Sequence, residues 1–278
     1  MTISSDTPTI FITGAGGGMG RATAQRFAKE GWNLGLTDID PDTLAETALL
    51  CGNVSVFTSV LDVTSEADWA EVMDAFGRFS GGRLDVLFNN AGIAPGGWFD
   101  EMPTDTVRSI IEVNVLGVMH GVRAGVELLK NTKDSLCIST SSSVATYGHA
   151  MRAAYSASKF AVKGLTEALS LEFERFGIRC ADVLPGCIDT PMLRSALAAR
   201  DGVEFDESLF DTLPKEGAYR LVPVSAIADA VWSAYSDPEQ RDRIHWHVPE
   251  EVGDIDRLTG TDFAAARAET KAFLFGDG

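Results

Sequence analysis

The sequence predicts a doubly wound α/β fold on a parallel sheet, and three observations carry that expectation. Short runs rich in β-branched and large apolar residues alternate with longer helical patterns along most of the chain, a rhythm that implies parallel strands joined by right-handed crossovers. A glycine-rich turn, TGAGGGMG over residues 13–20, follows the first such run and opens the first helical stretch. Asp38 then closes the second run, 18 positions after Gly20.

The strand-like runs are TIFIT (9–13), NLGLT (33–37), VSVFT (54–58), LDVLFN (84–89), SLCIST (135–140), IRCADVL (178–184) and RIHWHV (243–248). Helical patterns lie between them near 18–30, 41–50, 64–79, 103–130, 154–176 and 223–237. Pro41 suits a first helical turn, with Asp40 and Asp42 as turn and helix-start residues. No internal repeat or low-complexity linker interrupts the chain, so one domain spans residues 1–278 in this reading. The rhythm breaks over 191–222, where an insertion at the carboxyl edge of a sheet reads as a mobile lid rather than a strand. The tail from 249 to 278 reads as irregular until AAARAETKAFLF (264–275), a candidate terminal helix.

Composition narrows the function. The 278 residues are 45% hydrophobic and 23% charged, enough apolar material for a large core and unlike a disordered chain. The net charge of −17 repels nucleic acid and anionic lipid; residues 201–278 carry 17 acids against 7 bases and hold much of the excess. The longest apolar runs fall short of the roughly 18 residues of a membrane span, and MTISSDTPT lacks the pattern of a secretory signal, so a cytoplasmic protein without a membrane partner is expected. Cys51, Cys137, Cys180 and Cys187 form no CxxC pair and read as buried thiols. His245 and His247 alternate onto one strand face but lack a third ligand, so no metal is assigned.

Gly14, Gly16, Gly17, Gly18 and Gly20 would let a phosphate approach the amides that open the next helix, where the dipole favours negative charge; a purely structural turn is the plainer alternative. Asp38 stands where a carboxylate would accept hydrogen bonds from an adenosine ribose and repel a ribose phosphate. Neither the loop nor TDIDPD (37–42) offers an Arg or Lys for such a phosphate, which favours NAD over NADP.

Tyr155 and Lys159, in AAYSASKF (153–160), stand four apart and share one helical face. Proton exchange by a tyrosine near neutrality requires lowering a pKa near 10 by about 3 units, roughly 4 kcal/mol. A lysine charge about 5 Å away, at an effective dielectric near 20, contributes roughly 3 kcal/mol. Alone, the pair would equally suit a surface helix. It follows, however, the glycine loop, NNAG (89–92), NVLG from Asn114 and the serines of STSSSVA, and it precedes PGCIDT (185–190). In that order of motifs, over about residues 8–190, the chain strongly resembles the short-chain dehydrogenase/reductase family in its compact single-domain branch.

The resemblance implies a single-domain Rossmann fold with seven parallel strands and an NAD-dependent oxidoreductase that interconverts a secondary alcohol and a ketone. It makes Tyr155 the general acid/base and Lys159 the residue that lowers its pKa and holds the nicotinamide ribose. Ser142, 13 positions before the tyrosine, would orient the substrate oxygen, with Ser143 as the alternative, and Asn114 would hold a relay water. Gly14, Gly18 and Gly20 match the family loop TGxxxGxG, with Gly16, Gly17 and Met19 inside it. Asp62 and Val63 resemble the pair beside adenine, and Asn90, Ala91 and Gly92 the turn beside the adenosine ribose, with Asn89 as a possible strand brace. Pro185, Gly186, Ile188 and Thr190 resemble the nicotinamide contacts. Around the expected substrate pocket Trp98, Val144, Tyr147, Met151, Met192, Leu193 and Leu197 are mostly apolar and His149 lies close by, which points to a hydrophobic, aromatic or alicyclic substrate. RIHWHVPEEVG departs from the family's usual C-terminal strand and paired glycine, so the common tetramer is open and a homodimer or homotetramer is expected. The competing readings are a sugar-nucleotide epimerase or dehydratase, which normally carries a larger C-terminal domain, and a non-catalytic cofactor-binding regulator, which would not need Asn114, Ser142, Tyr155 and Lys159 together.

Overall fold

Strand β1 (Thr9–Thr13) is buried along its whole length, as a strand covered by helices on both faces must be. In the computed structural model of the chain, which describes residues 7–201, 204–263, 265, 267, 269, 272 and 273, β1 sits in the middle of a sheet assembled by alternating strands and helices. It is followed by α1 (Gly18–Lys29), β2 (Asn33–Asp38), α2 (Pro41–Leu50), β3 (Val56–Val60), α3 (Glu66–Ser80), β4 (Val86–Asn89), α4 (Thr104–Ile111), α5 (Gly117–Lys130), β5 (Leu136–Thr140) and α6 (Ala153–Glu172). The remainder comprises β6 (Arg179–Pro185), β7 (Cys187–Ile188), α7 (Pro191–Asp201), β8 (Leu221–Val222), α8 (Ser225–Ser236), β9 (His245–Val248) and α9 (Val252–Thr261). Seven strands form one parallel sheet in the order β3-β2-β1-β4-β5-β6-β9. The direction of winding reverses between β1 and β4, which opens a crevice beyond their carboxyl ends.

Helices α1 and α8 cover one face, burying Ala24, Phe27, Ile227 and Val231 against Ile10, Ile12, Leu34 and Val86. Phe27, Trp32, Trp232 and Tyr235 meet there edge to face at centroid distances of 4.8 to 5.8 Å, pairs worth about 0.5–1.5 kcal/mol each beyond their burial. On the other face α3, α5 and α6 bury Trp69, Val72, Phe76, Val118, Val122 and Val162 against Phe11 and Leu87. Gly35 admits this packing, because a β-carbon there would lie 2.6 Å from the Phe76 ring and 2.7 Å from Phe11. All four cysteines are buried and unbridged.

Four expectations need correction. The third strand begins two residues later than the apolar run, because Val56 rather than Val54 pairs with Leu34 at the edge of the sheet. The helical pattern over 103–130 is divided by a π turn at Glu112–Leu116. The insertion over 191–222 contains α7 and ends in strand β8, whose Leu221 and Val222 pair with Cys187 and Ile188. The tail is not irregular after 249, since α9 buries Val252 and Ile255 beside Leu197, Leu213 and Tyr219. Of the terminal helix expected at 264–275, residues 265, 267, 269, 272 and 273 are helical, and the rest lie outside the described residues. Among the described residues no helix is long and apolar enough to cross a membrane.

Helix α9 is tied to α6 by one carboxylate. Lys163 Nζ donates to both oxygens of Asp256 at 2.7 and 2.9 Å, and His247 Nε2 lies 3.2 Å from Oδ2. Burial pushes the Asp256 carboxyl up, but the hydrogen bonds from His247 and Lys163 outweigh it and hold the pKa at about 2. A depressed carboxyl pKa stabilises the fold fully above its ordinary value of 3.8 and loses that contribution as pH falls through about 2. Asp256→Asn should therefore cost about 1–2 kcal/mol at pH 6 and nothing resolvable at pH 2. Urea unfolding of both proteins at the two pH values checks this; a pH-independent difference would mean that the carboxylate charge is not what matters.

Candidate active site

The glycine loop is closed at its ends and open at its middle. Gly14 has φ +65°, and a β-carbon there would lie 2.9 Å from Ala91 Cα. At Gly20 a β-carbon would overlap the Gly14 carbonyl oxygen, and at Gly16 it would lie 2.5 Å from Thr43 Oγ1. At Gly17 it would meet nothing within 4 Å, and Gly18, with φ +48°, faces Thr190 Cγ2 at 3.4 Å. Helix α1 starts here without a side-chain cap and without an acid in its first turn. Open space and a bare helix N-terminus fit the pyrophosphate of a dinucleotide.

Asp38 stands beside this loop at the end of β2, with Oδ2 accepting from the Gly16 amide at 2.8 Å. The basic group near this corner is Arg21, which the sequence reading did not weigh. It donates to Gly16 O, Thr43 O at 3.1 Å, Thr47 Oγ1 at 2.9 Å and Glu46 Oε2 at 3.0 Å. Its Nε and Nη2 are thus engaged by the loop and α2.

The NNAG turn braces the sheet ends. Asn90 Nδ2 donates to Thr13 O and Gly14 O at 3.0 and 3.1 Å, while the amides of Asn90 and Ala91 both donate to Thr13 Oγ1 at 3.0 Å. Asn89, the expected brace, is buried with its Nδ2 3.9 Å from Cys137 Sγ and its Oδ1 without a partner among the described residues. Asp62 Oδ1 accepts from Thr64 N at 2.9 Å and from its hydroxyl at 2.8 Å, and Val63 O accepts from Trp69 Nε1 at 3.1 Å. The pair precedes α3, and Val63 packs against Gly117.

Three elements bring the expected reactive residues together. Ser142 follows β5, its hydroxyl accepts from Val144 N at 3.3 Å and it lines the same cavity as Tyr155; Ser143 gives its carbonyl to Thr146 Oγ1 at 2.7 Å. Tyr155 and Lys159 occupy successive turns of α6, with Lys159 Nζ 5.6 Å from the Tyr155 ring centroid. Lys159 Nζ donates to Thr140 O at 2.8 Å, and burial lowers its pKa to about 8. Burial pushes the Tyr155 pKa up, opposed by the neighbouring Ser142 hydroxyl and the charge of Arg152. Arg152 is a cation beside the phenol that the sequence reading did not name. Asn114 lies in the π turn with Oδ1 accepting from Ile93 N at 2.9 Å and Nδ2 donating to Ile93 O at 2.8 Å and Ser158 Oγ at 3.1 Å. Gly92 faces both Asn114 Oδ1 and Lys159 Nζ.

Ser142 and Tyr155 open onto a cavity of about 320 Å³ that Met19, Pro185, Gly186, Ile188 and Thr190 also line. Thr190 caps α7, accepting from Leu193 N at 3.3 Å, so the loop after β6 and the glycine loop share one rim. Val144, His149, Met151, Met192, Leu193 and Leu197 form the far wall. Two expected wall residues are elsewhere. Trp98 is 49% exposed, displaced by Gly96 and Gly97, and Tyr147 packs its ring 5.1 Å from Phe263. The wall gains Arg152, Leu213, Tyr219 and Phe273, the last two stacked at 3.8 Å. Only the topology brings Tyr219 and Phe273 here, but Arg152 stands three residues before Tyr155 and helical spacing alone would have found it. Burial and the Arg152 charge lower the His149 pKa to about 4, so the ring is neutral at pH 7. His245 Nδ1 lies 2.8 Å from Asp182 Oδ1 and His247 pairs with Asp256; among the described residues no three acidic, His or Cys side chains form a metal-binding group.

Comparison with known proteins agrees with this geometry. The family model described as short chain dehydrogenase matches residues 8–201. Levodione reductase of Leifsonia aquatica is 34% identical over 202 residues, covering 69% of this chain and 73% of that protein. The crystal structure of levodione reductase superposes with a TM-score of 0.82 at 27% identity, covering 88% and 98% of the two chains. Trans-4-hydroxycyclohexanecarboxylate dehydrogenase of Sinomonas cyclohexanicum is 37% identical over 190 residues, 65% of this chain and 72% of that one. Carveol dehydrogenase of Mycobacterium avium, solved in complex with NAD, gives a TM-score of 0.79 at 27% identity, covering 88% and 98%.

The contact between Gly20 and Gly14 offers a direct test of the loop. Gly20→Ala should cost about 1–3 kcal/mol and weaken NADH binding at least about tenfold, through displacement of the α1 N-terminus. Thermal unfolding and NADH fluorescence titration read the two effects; wild-type values in both would mean that the loop does not depend on this contact.

Proposed function

Because the chain belongs to the short-chain dehydrogenase/reductase family, whose members are oxidoreductases, we propose that it interconverts a secondary alcohol and a ketone on a hydrophobic small molecule, with NAD as cofactor. The observation that carries this reading is that Ser142 and Tyr155 line the wall of one cavity whose rim is formed by the glycine loop and Thr190. A bound nicotinamide supplies the acceptor or donor of the hydride. Tyr155 takes the hydroxyl proton of the alcohol or returns it to the ketone, and Ser142 holds the same oxygen in place. Lys159, buried behind Tyr155, orients the cofactor ribose and adds positive charge near the phenol. Both amide hydrogens of Asn114 are engaged, so a relay water reaches this residue through the second lone pair of Oδ1 or through its main chain.

Asp38 beside Gly16 and the engagement of Arg21 Nε and Nη2 by the loop and α2 support NAD over NADP. The apolar lining by Met19, Val144, Ile188, Met192, Leu193 and Leu197 supports a hydrophobic substrate, and the name of the Sinomonas relative supports an alicyclic alcohol. The C-terminal third supplies α8, β9 and α9 to the same sheet and lid, which disfavours an epimerase or dehydratase with a separate substrate domain. Exposed Leu116, Phe160 and Leu171 on the long helices support self-association as a homodimer or homotetramer.

Tyr155→Phe should lower kcat roughly 10²–10⁴-fold while NADH still binds, as followed by steady-state kinetics and fluorescence; retained turnover would remove Tyr155 from the proton step. Asp38→Ala combined with Ile39→Arg places a cation at a position that is 68% exposed, and it should raise the NADP-to-NAD ratio of kcat/KM by at least about tenfold. An unchanged ratio would mean that the ribose is read by other residues.

A further inference from the structure

Arg152 is the N-cap residue of α6, one turn before Tyr155, and its guanidinium lines the substrate side of the cavity. It is half-buried, and among the described residues no carboxylate stands within ion-pair distance of it. One partner is present: Nη1 donates to Ala94 O. An arginine has five N–H donors in a planar fork, so the rest of the fork is left for the cavity. None of its nitrogens is sealed from solvent without a partner. The site also makes room for the fork. A β-carbon at Gly96 would lie 3.1 Å from Arg152 Cζ and 3.2 Å from Nη1. The Gly97 amide donates to Met151 O at 2.9 Å and the Arg152 amide to His149 O at 3.2 Å, which fixes the two loops around the guanidinium. Met151 holds φ +60° in that turn, an unfavourable conformation for a side chain of its size.

An unpaired cation is costly in an otherwise apolar wall unless something neutralises it. The neighbouring wall groups do not. His149 is held neutral, and Val144, Met151, Met192 and Leu193 are apolar. A planar carboxylate is the group whose two oxygens match the fork. We infer that Arg152 is an anion subsite within the substrate cavity, and that the substrate is a hydroxy acid or keto acid: an apolar body with one carboxylate distant from the reacting carbon. The inference deepens the alcohol–ketone reading and rests on it. Arg152 is a specificity residue here, since the proton moves through Tyr155.

The test compares trans-4-hydroxycyclohexanecarboxylate with its primary amide as substrates, using NAD and the wild-type, Arg152→Gln and Arg152→Lys proteins. The wild type should favour the acid, and Arg152→Gln should lower the acid-to-amide ratio of kcat/KM about 100-fold. Arg152→Lys should retain part of the preference, because it keeps the charge and loses the fork. Any effect of Arg152 on Tyr155 acts on both substrates and cancels in the ratio, so an unchanged ratio overturns the subsite. A binding arm separates this inference from the redox reading: calorimetry of the NADH-loaded protein with cyclohexanecarboxylate and with cyclohexanecarboxamide. Tighter binding of the acid, lost in Arg152→Gln, supports the subsite even if neither alcohol is turned over, an outcome that would sink the redox reading instead. Equal binding of acid and amide overturns the subsite.

Discussion

The side chain of Asn90 joins three strand ends, and the active face depends on that junction. Its amide nitrogen holds Thr13 O and Gly14 O at the end of β1, and its amide oxygen accepts from Thr140 Oγ1 at the end of β5 at 3.3 Å. Gly14 is the floor on which Gly20 rests, so the position of the α1 N-terminus follows from the junction. The main-chain oxygen of Thr140 in turn anchors Lys159, and Ser141 Oγ donates to the Lys159 carbonyl at 3.0 Å. One polar network therefore runs from the glycine loop to the lysine across the reversal point of the sheet. In a buried setting such a network is strong when complete and costly when broken, which suits a site that must hold two separate helices in register.

The same burial governs the electrostatics of the proton-bearing pair. Withdrawal from water pushes the Tyr155 phenol up and the Lys159 ammonium down to about 8, so at pH 7 the phenol is neutral while the ammonium stays mostly charged. Lys159 is committed to a carbonyl, and Arg152 adds a second positive charge that opposes the upward shift of the phenol. Full activation of Tyr155 thus depends on what else occupies the cavity.

The parts of the fold set by local rules were legible in the sequence. Buried parallel strands such as TIFIT announce themselves as continuous apolar runs, and the turn conformations at Gly14 and Gly18 are ones that glycine favours. Tyr155 and Lys159 were legible because helical spacing fixes their shared face. What escaped was set by contacts distant in sequence. Strand β8 is two residues long and exists because Cys187 and Ile188 offer it an edge. Helix α9 carries Gly253 and Gly260, which weaken local helix propensity, and it is held by burial of Val252 and Ile255 against the lid. Trp98 misled because an apolar residue near a pocket in sequence need not face it, as the glycines before it turn the chain outward.

The π turn before α5 resolves a conflict of phase. Asn114 must face the Ile93 peptide, while Gly117 and Gly121, further along, must face Val63 and Asn89. One residue more than an α-helical turn holds advances everything beyond it by about 100°, which lets a single rod meet both demands. The segment behaves as a screw cut with two threads. Removing one residue there would leave α4 and α5 individually sound yet rotate one against the other, so the placing of Asn114 depends on the length of the helix as well as on its side chain.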